Sequence, residues 1–185
     1  METIQMLPLA HAEVLGTRSS FLARLFEGHV QADTHAIVGD ALIRLVLDGG
    51  FPEALSRESE RRRQGWMRAY LTSVLTRDLG DIADIEKLTE LPKFVRLLAQ
   101  HSGHLVNYSE LGSSINVTYK TSQRYVGLLE KVFLVSTLQP WYTNAIKRII
   151  KTPKVHFIDS GLLATSRALT FDRIKAKRSE FGAVL

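Results

Sequence analysis

The sequence predicts a mainly α-helical chain that closes on one short β-hairpin. Three observations predict it. Apolar residues recur at helical spacing through most of the first 130 positions, glycines and prolines punctuate those runs, and only Val132 to Leu138 and Val155 to Ile158 are rich in β-branched and aromatic residues. With 185 residues, 45% of them hydrophobic, the chain has enough apolar side chains for a core of its own.

The elements follow in order. Val14 to Gly28 has apolar residues at helical spacing, and Thr34 to Leu47 forms a second amphipathic run through Ile37, Ala41, Leu45 and Val46. Gly49 then stands where a helix ends on a glycine, and Pro52 where the next helix opens. Leu55 to Ile85 aligns Trp66, Tyr70, Val74 and Ile82 on one stripe, which predicts a single long helix broken near Gly80. Beyond Leu91 come a helix at Pro92 to His101, a turn at Gly103, a short helix at Tyr108 to Ser113, a tight turn, and a longer helix from Thr118 to about Lys131. The two strands complete the series. Helix, helix, turn, helix and hairpin is the order of a winged helix-turn-helix with a short β-hairpin wing.

The chain has no cysteine, so neither a disulfide framework nor a thiolate zinc site is available, and the natural setting is a reducing cytoplasm. No apolar run approaches the roughly 20 residues of a membrane-spanning helix, and the N-terminus lacks a secretory pattern. No membrane partner is expected.

The net charge of +5 is unevenly placed. Residues 117 to 158 contain seven basic residues and one acidic residue, Glu130, so they carry +6 and leave −1 for everything else. A local excess of this kind suits a polyanion such as DNA. On the helix Thr118 to Val132, with successive residues about 100° apart, Thr121, Tyr125, Leu128, Leu129 and Val132 fall on one side. Tyr119, Lys120, Gln123, Arg124 and Lys131 fall opposite. These are side chains that reach phosphates and base edges, and Tyr142, Asn144, Lys147, Arg148 and Lys151 follow in the loop where a wing would lie. The same surface also suits a protein-docking module with a solvated basic face, and the sequence leaves both readings open.

Catalytic patterns are missing. The six histidines include no HExxH, and His101-x-x-His104 straddles a glycine turn with no carboxylate nearby in sequence. Asp78, Asp81 and Asp84 recur at i, i+3 and i+6, a spacing that could hold a metal, but a solvated helix end with Arg77 pairing locally is the stronger reading. No GxxxxGK[ST] loop is present, so this chain is not itself an enzyme of the P-loop class and binds no cofactor of its own.

The ordered set PLAHAEVLG, FLARLFEGH, GGFPEAL, RQGWMRAYLTSVLTRDLGDIADI, the long stretch from Leu97 to Ala164, and SEFGAVL resembles the C-terminal portion of a group of prokaryotic AAA-type ATPases. In that group a P-loop ATPase core is followed by a helical region, a winged helix and a restriction-endonuclease-like domain of unknown function. The resemblance implies four parts: residues 1–33 the end of the ATPase core and a linker, 34–90 a helical lid-like region, 91–170 the winged helix, and 171–185 the start of a truncated nuclease-like domain. The chain would then be an internal fragment, or a product begun at an internal methionine, with both catalytic modules outside it. ATP and Mg2+ are implied for the longer protein, and its own ATPase core and nuclease-like domain become the expected partners. Gly50-Phe51-Pro52 resembles the Gly-x-Pro stretch by which a lid contacts a bound nucleotide, giving Gly50 and Pro52 a nucleotide-sensing role in the longer protein. A helix stop followed by a first-turn proline explains the same residues without any ligand.

Overall fold

A computed structural model describes residues 6–18, 20–29, 37–79, 88–141, 152–182 and 184. Over these residues the fold is mainly α-helical, with a two-stranded antiparallel sheet. No helix among them is long and apolar enough to cross a membrane.

The expected helix at Val14 to Gly28 is two short pieces, α1 (His11–Val14) and α2 (Phe21–Phe26), neither of which buries a residue. Gly16 at φ 66 turns the chain between them, and Thr17 ties back to the Ala12 carbonyl. Phe21, Leu22 and Phe26 are exposed, Phe26 at 87%.

Helix α3 (Asp40–Asp48) starts after Gly39 at φ 60, so it does not include Ile37 and Val38 of the expected run, whose first residues, 34–36, lie outside the described residues. It buries Ile43, Val46 and Leu47 and ends on Gly49. Pro52 opens a single turn, α4 (Pro52–Leu55). The long helix expected from Leu55 starts afresh at α5 (Glu60–Ser73), because the Ser59 hydroxyl accepts the Arg62 N–H and caps a new N-terminus. From Val74 to Asp78 it widens into a π turn. The expected break at Gly80 lies outside the described residues.

A 3-10 turn at Leu88–Glu90 leads into α6 (Leu91–Gln100), with Leu91, Phe94, Val95, Leu98 and Ala99 buried along one stripe. Next come α7 (Tyr108–Ser114), capped by Asn107, and α8 (Tyr119–Lys131), capped by Thr118. Strand β1 (Val135–Leu138) pairs with β2 (Lys154–Phe157) in the register Val135 to Phe157 and Leu138 to Lys154. A bridge between Leu105 and Lys154 sets the segment before α7 against the other edge of β2. The first strand is shorter than expected, since Phe133 at φ 54 turns the chain before β1 begins, while the second has the expected length and starts one residue earlier.

Helix α9 (Ser160–Ser166) follows β2 and is buried at Gly161, Leu162, Leu163 and Ala164. It packs against α3, α5 and α6. At Gly161 a methyl group would lie 2.5 Å from Met67 Cε and 3.0 Å from the Leu47 carbonyl oxygen, so the helices close on each other where this residue has no side chain. One apolar cluster runs from Ile43 through Tyr125 and Leu134 to Val184. The chain ends with α10 (Phe171–Ala176) and a 3-10 turn at Arg178–Glu180.

Candidate nucleic-acid face and glycine junction

The turn between α7 and α8 is tight for a local reason. Gly112 lies so close to the next segment that a methyl group there would stand 2.8 Å from the Val117 carbonyl oxygen, and Asn116 takes φ 57 to complete the reversal. The buried Ser122 hydroxyl donates to the Tyr108 carbonyl at 2.5 Å, and Tyr108 meets Tyr119 edge-on at 5.6 Å. The inner face of α8 comprises Ser122, Tyr125, Val126, Leu128 and Leu129, with Tyr125 against Phe94. Of the residues expected inside, Tyr125, Leu128 and Leu129 are buried, while Thr121 and Val132 are half-buried. Val126 and Ser122 belong to that face as well.

That packing fixes the opposite side. Tyr119, Lys120, Gln123, Arg124 and Lys131 are all exposed, Tyr119 at 50%. Glu130, the one acidic residue of the basic segment, is turned toward β1, where its carboxylate accepts both the Thr137 N–H and the Thr137 hydroxyl at 2.8 Å. Its charge is therefore engaged at the base of the hairpin. Tyr142, Asn144, Lys147, Arg148 and Lys151, the expected wing residues, lie outside the described residues.

The glycine junction is a second constellation. Gly49 takes φ 64, and a methyl group on it would fall 2.5 Å from an Asp159 carboxylate oxygen. Gly50 donates its N–H to Asp159 Oδ2 at 2.6 Å, and its carbonyl accepts from Leu9 N at 2.8 Å. A side chain on Gly50 would run into the Leu9 carbonyl. Asp159 is 5% exposed and also caps α9, accepting the Leu162 N–H at 2.8 Å. Burial pushes its carboxyl above the usual carboxylate value, against the opposing pull of N–H bonds from Gly50, Leu162 and Gly161. A cleft of about 590 Å³ opens beside this junction, lined by Gly49, Gly50, Asp159 and the backbone from Leu7 to His11.

Both peptide groups of Gly50 are thus occupied within the chain. Pro52 is exposed, while Phe51 packs on Trp66 and Tyr70 at 5.5 and 5.0 Å, those two rings stacking at 5.2 Å. The sequence reading missed Asp159, whose only local signal is its position before a new helix.

His101 and His104 turn to different carbonyls, Leu97 and Ser102. A carboxylate does stand near His101, since Glu110 Oε1 is 3.9 Å from Nε2, which corrects the expectation from sequence distance alone. Among the described residues no group of three or more His, Asp or Glu side chains comes together. Asp81 and Asp84 lie outside them.

A family model described as Domain of unknown function (DUF8612) matches residues 39–173. Two mycobacterial proteins are similar: Uncharacterized protein Mb2031c of Mycobacterium bovis and Uncharacterized protein Rv2008c of Mycobacterium tuberculosis. Each is 32% identical over 120 residues, which is 65% of this chain and 27% of the relative. The chain therefore spans about a quarter of the length of these relatives. No solved structure matches it.

Proposed function

We propose, for a chain that belongs to the family described as Domain of unknown function (DUF8612), that it is the non-catalytic nucleic-acid-binding and regulatory segment of a longer AAA-type ATPase of the cytoplasm. In this reading α6 to β2 form a winged helix whose α8 lies against the DNA backbone. The observation that carries it is the outward face of α8: Tyr119, Lys120, Gln123, Arg124 and Lys131 are exposed together, while Glu130 is held by Thr137. Support also comes from the order α6, bridged segment, α7, α8, β1, β2, with the bridge at Leu105 supplying the third edge that a winged helix has.

Salt titration tests it. Each phosphate contact contributes about 0.9 to the slope of log K against log salt, so changing Lys120 and Arg124 together to Ala should lower that slope by about two units. Affinity should fall alike for unrelated duplexes, because phosphate contacts carry no sequence information. An unchanged titration removes DNA from this face.

The lid-like region would serve the longer protein. There the core would hold ATP and Mg2+, and Pro52, exposed on the first turn of α4, would meet the nucleotide while Gly50 stays bound to Asp159. A second reading, an assembly module that touches no DNA, draws on the exposed Phe21, Leu22 and Phe26 of α2, which suit a protein surface such as the ATPase core or the nuclease-like domain.

A further inference from the structure

A second cleft, of about 310 Å³, lies between α5 with its π turn, the start of α6 and the end of α9. Its origin is visible in the backbone. The π turn at Val74–Asp78 adds a residue to the helical repeat and takes Leu75 and Thr76 off the α-helical register. Pro92 faces it with a ring in the first turn of α6, and Ala168 closes the end of α9 at φ 52, a conformation that side-chain-bearing residues seldom adopt. Leu71, Leu75 and Val95 are buried at the cleft, whereas Arg68 and Arg96, from different helices, are exposed at it. Among the described residues no acidic side chain lines the cleft.

We propose that this cleft binds a small molecule made of an apolar body and one carboxylate, with the body on Leu71, Leu75 and Val95 and the carboxylate held by Arg68 and Arg96. The volume falls at the lower end of the range of small-ligand pockets, in which apolar walls and a few polar groups are the rule. Guanidinium groups match a carboxylate through paired N–H bonds, and two of them with no lining acid among the described residues offer positive charge for a ligand to neutralise. The Ser166 hydroxyl, shielded from solvent and without a hydrogen-bond partner among the described residues, belongs to the same lining. A polyanion is the weaker fit, because an apolar floor offers nothing to a phosphate chain. The proposal stands independently of the DNA reading of α8.

Calorimetric titration with octanoate tests it, using octanol and acetate as companions. Octanoate should saturate at one site, and acetate should not bind. Arg96→Ala and Arg68→Ala should each weaken octanoate about tenfold, the scale of a lost charge-assisted hydrogen bond, and leave octanol unchanged. Thr72→Trp, at an exposed helical position beside the cleft, should block both, with circular dichroism showing that the fold persists. Octanoate that never saturates, or that binds both arginine variants as well as the parent, overturns the proposal. Loss of duplex binding in the arginine variants without any octanoate binding would assign these arginines to a nucleic acid instead.

Discussion

Replacing Asp159 by Ala removes the acceptor for two separate elements, the Gly50 N–H at 2.6 Å and the Leu162 N–H at 2.8 Å. Both donors remain buried, and an orphaned buried donor costs about 1–3 kcal/mol. Loss of the α9 cap falls within the same sum, so Asp159→Ala should destabilise the chain by about 2–5 kcal/mol. At roughly 2–4 °C per kcal/mol for a chain of this size, the midpoint should drop by about 5–15 °C. Asp159→Asn should lie between, since its amide keeps one acceptor and turns a donor toward the other N–H. Urea unfolding followed by circular dichroism measures both. An unfolding free energy for Asp159→Ala within about 0.5 kcal/mol of the parent refutes the reasoning, because that is the range of a surface change.

The same residue fixes a pH dependence. Its folded value is raised from the ordinary 3.8, so between that value and the folded one the native state holds more protons than the unfolded state. Stability contributed by Asp159 is then full below the unfolded value and declines as pH rises through the folded one. The stability difference between the parent and Asp159→Asn should therefore shrink across that interval.

Two further outcomes can be measured. Gly161→Ala should destabilise by about 1–3 kcal/mol, as an overpacked contact does, and Met67→Ala in the same chain should recover little, since the Leu47 carbonyl at 3.0 Å cannot yield as a side chain can; thermal melts of the three variants decide it. In the longer protein, Pro52→Ala should leave the fold intact and change the ratio of ADP to ATP affinity, because a lid shifts a core only by contacting its two nucleotide states differently. Identical nucleotide affinities would leave Gly49 to Pro52 as a helix junction.

What could be read from sequence was whatever depends on a local period. Tyr125, Leu128 and Leu129 are placed on the inner side of α8 and Tyr119, Lys120, Gln123, Arg124 and Lys131 on the outer side because that contrast is written at intervals of three and four residues, whereas the buried Ser122 and Val126 are not anticipated. The hairpin is legible for the same kind of reason, although Phe133 trims its first strand. Val14 to Gly28 misleads: its apolar residues have the helical period but find no surface among the described residues, and Gly16 divides the run. The start of α5 was missed because Ser59 competes with the apolar stripe for control of the boundary, and its cap sets the register. Asp159 stayed hidden for a different reason. Its partner Gly50 is 109 positions away, and no window along the chain contains both.

The packing of Gly161 among Leu47 and Met67 also bears on how the chain is made. Leu47, Met67 and Leu71 emerge from synthesis about a hundred residues before the helix that covers them. Until Ser160 to Ser166 have appeared, α3 and α5 lack their third neighbour and keep apolar surface open to water or to other chains. Contacts spanning that distance along a chain are slow to form, so the order of elements predicts α9 as a late closing step of folding.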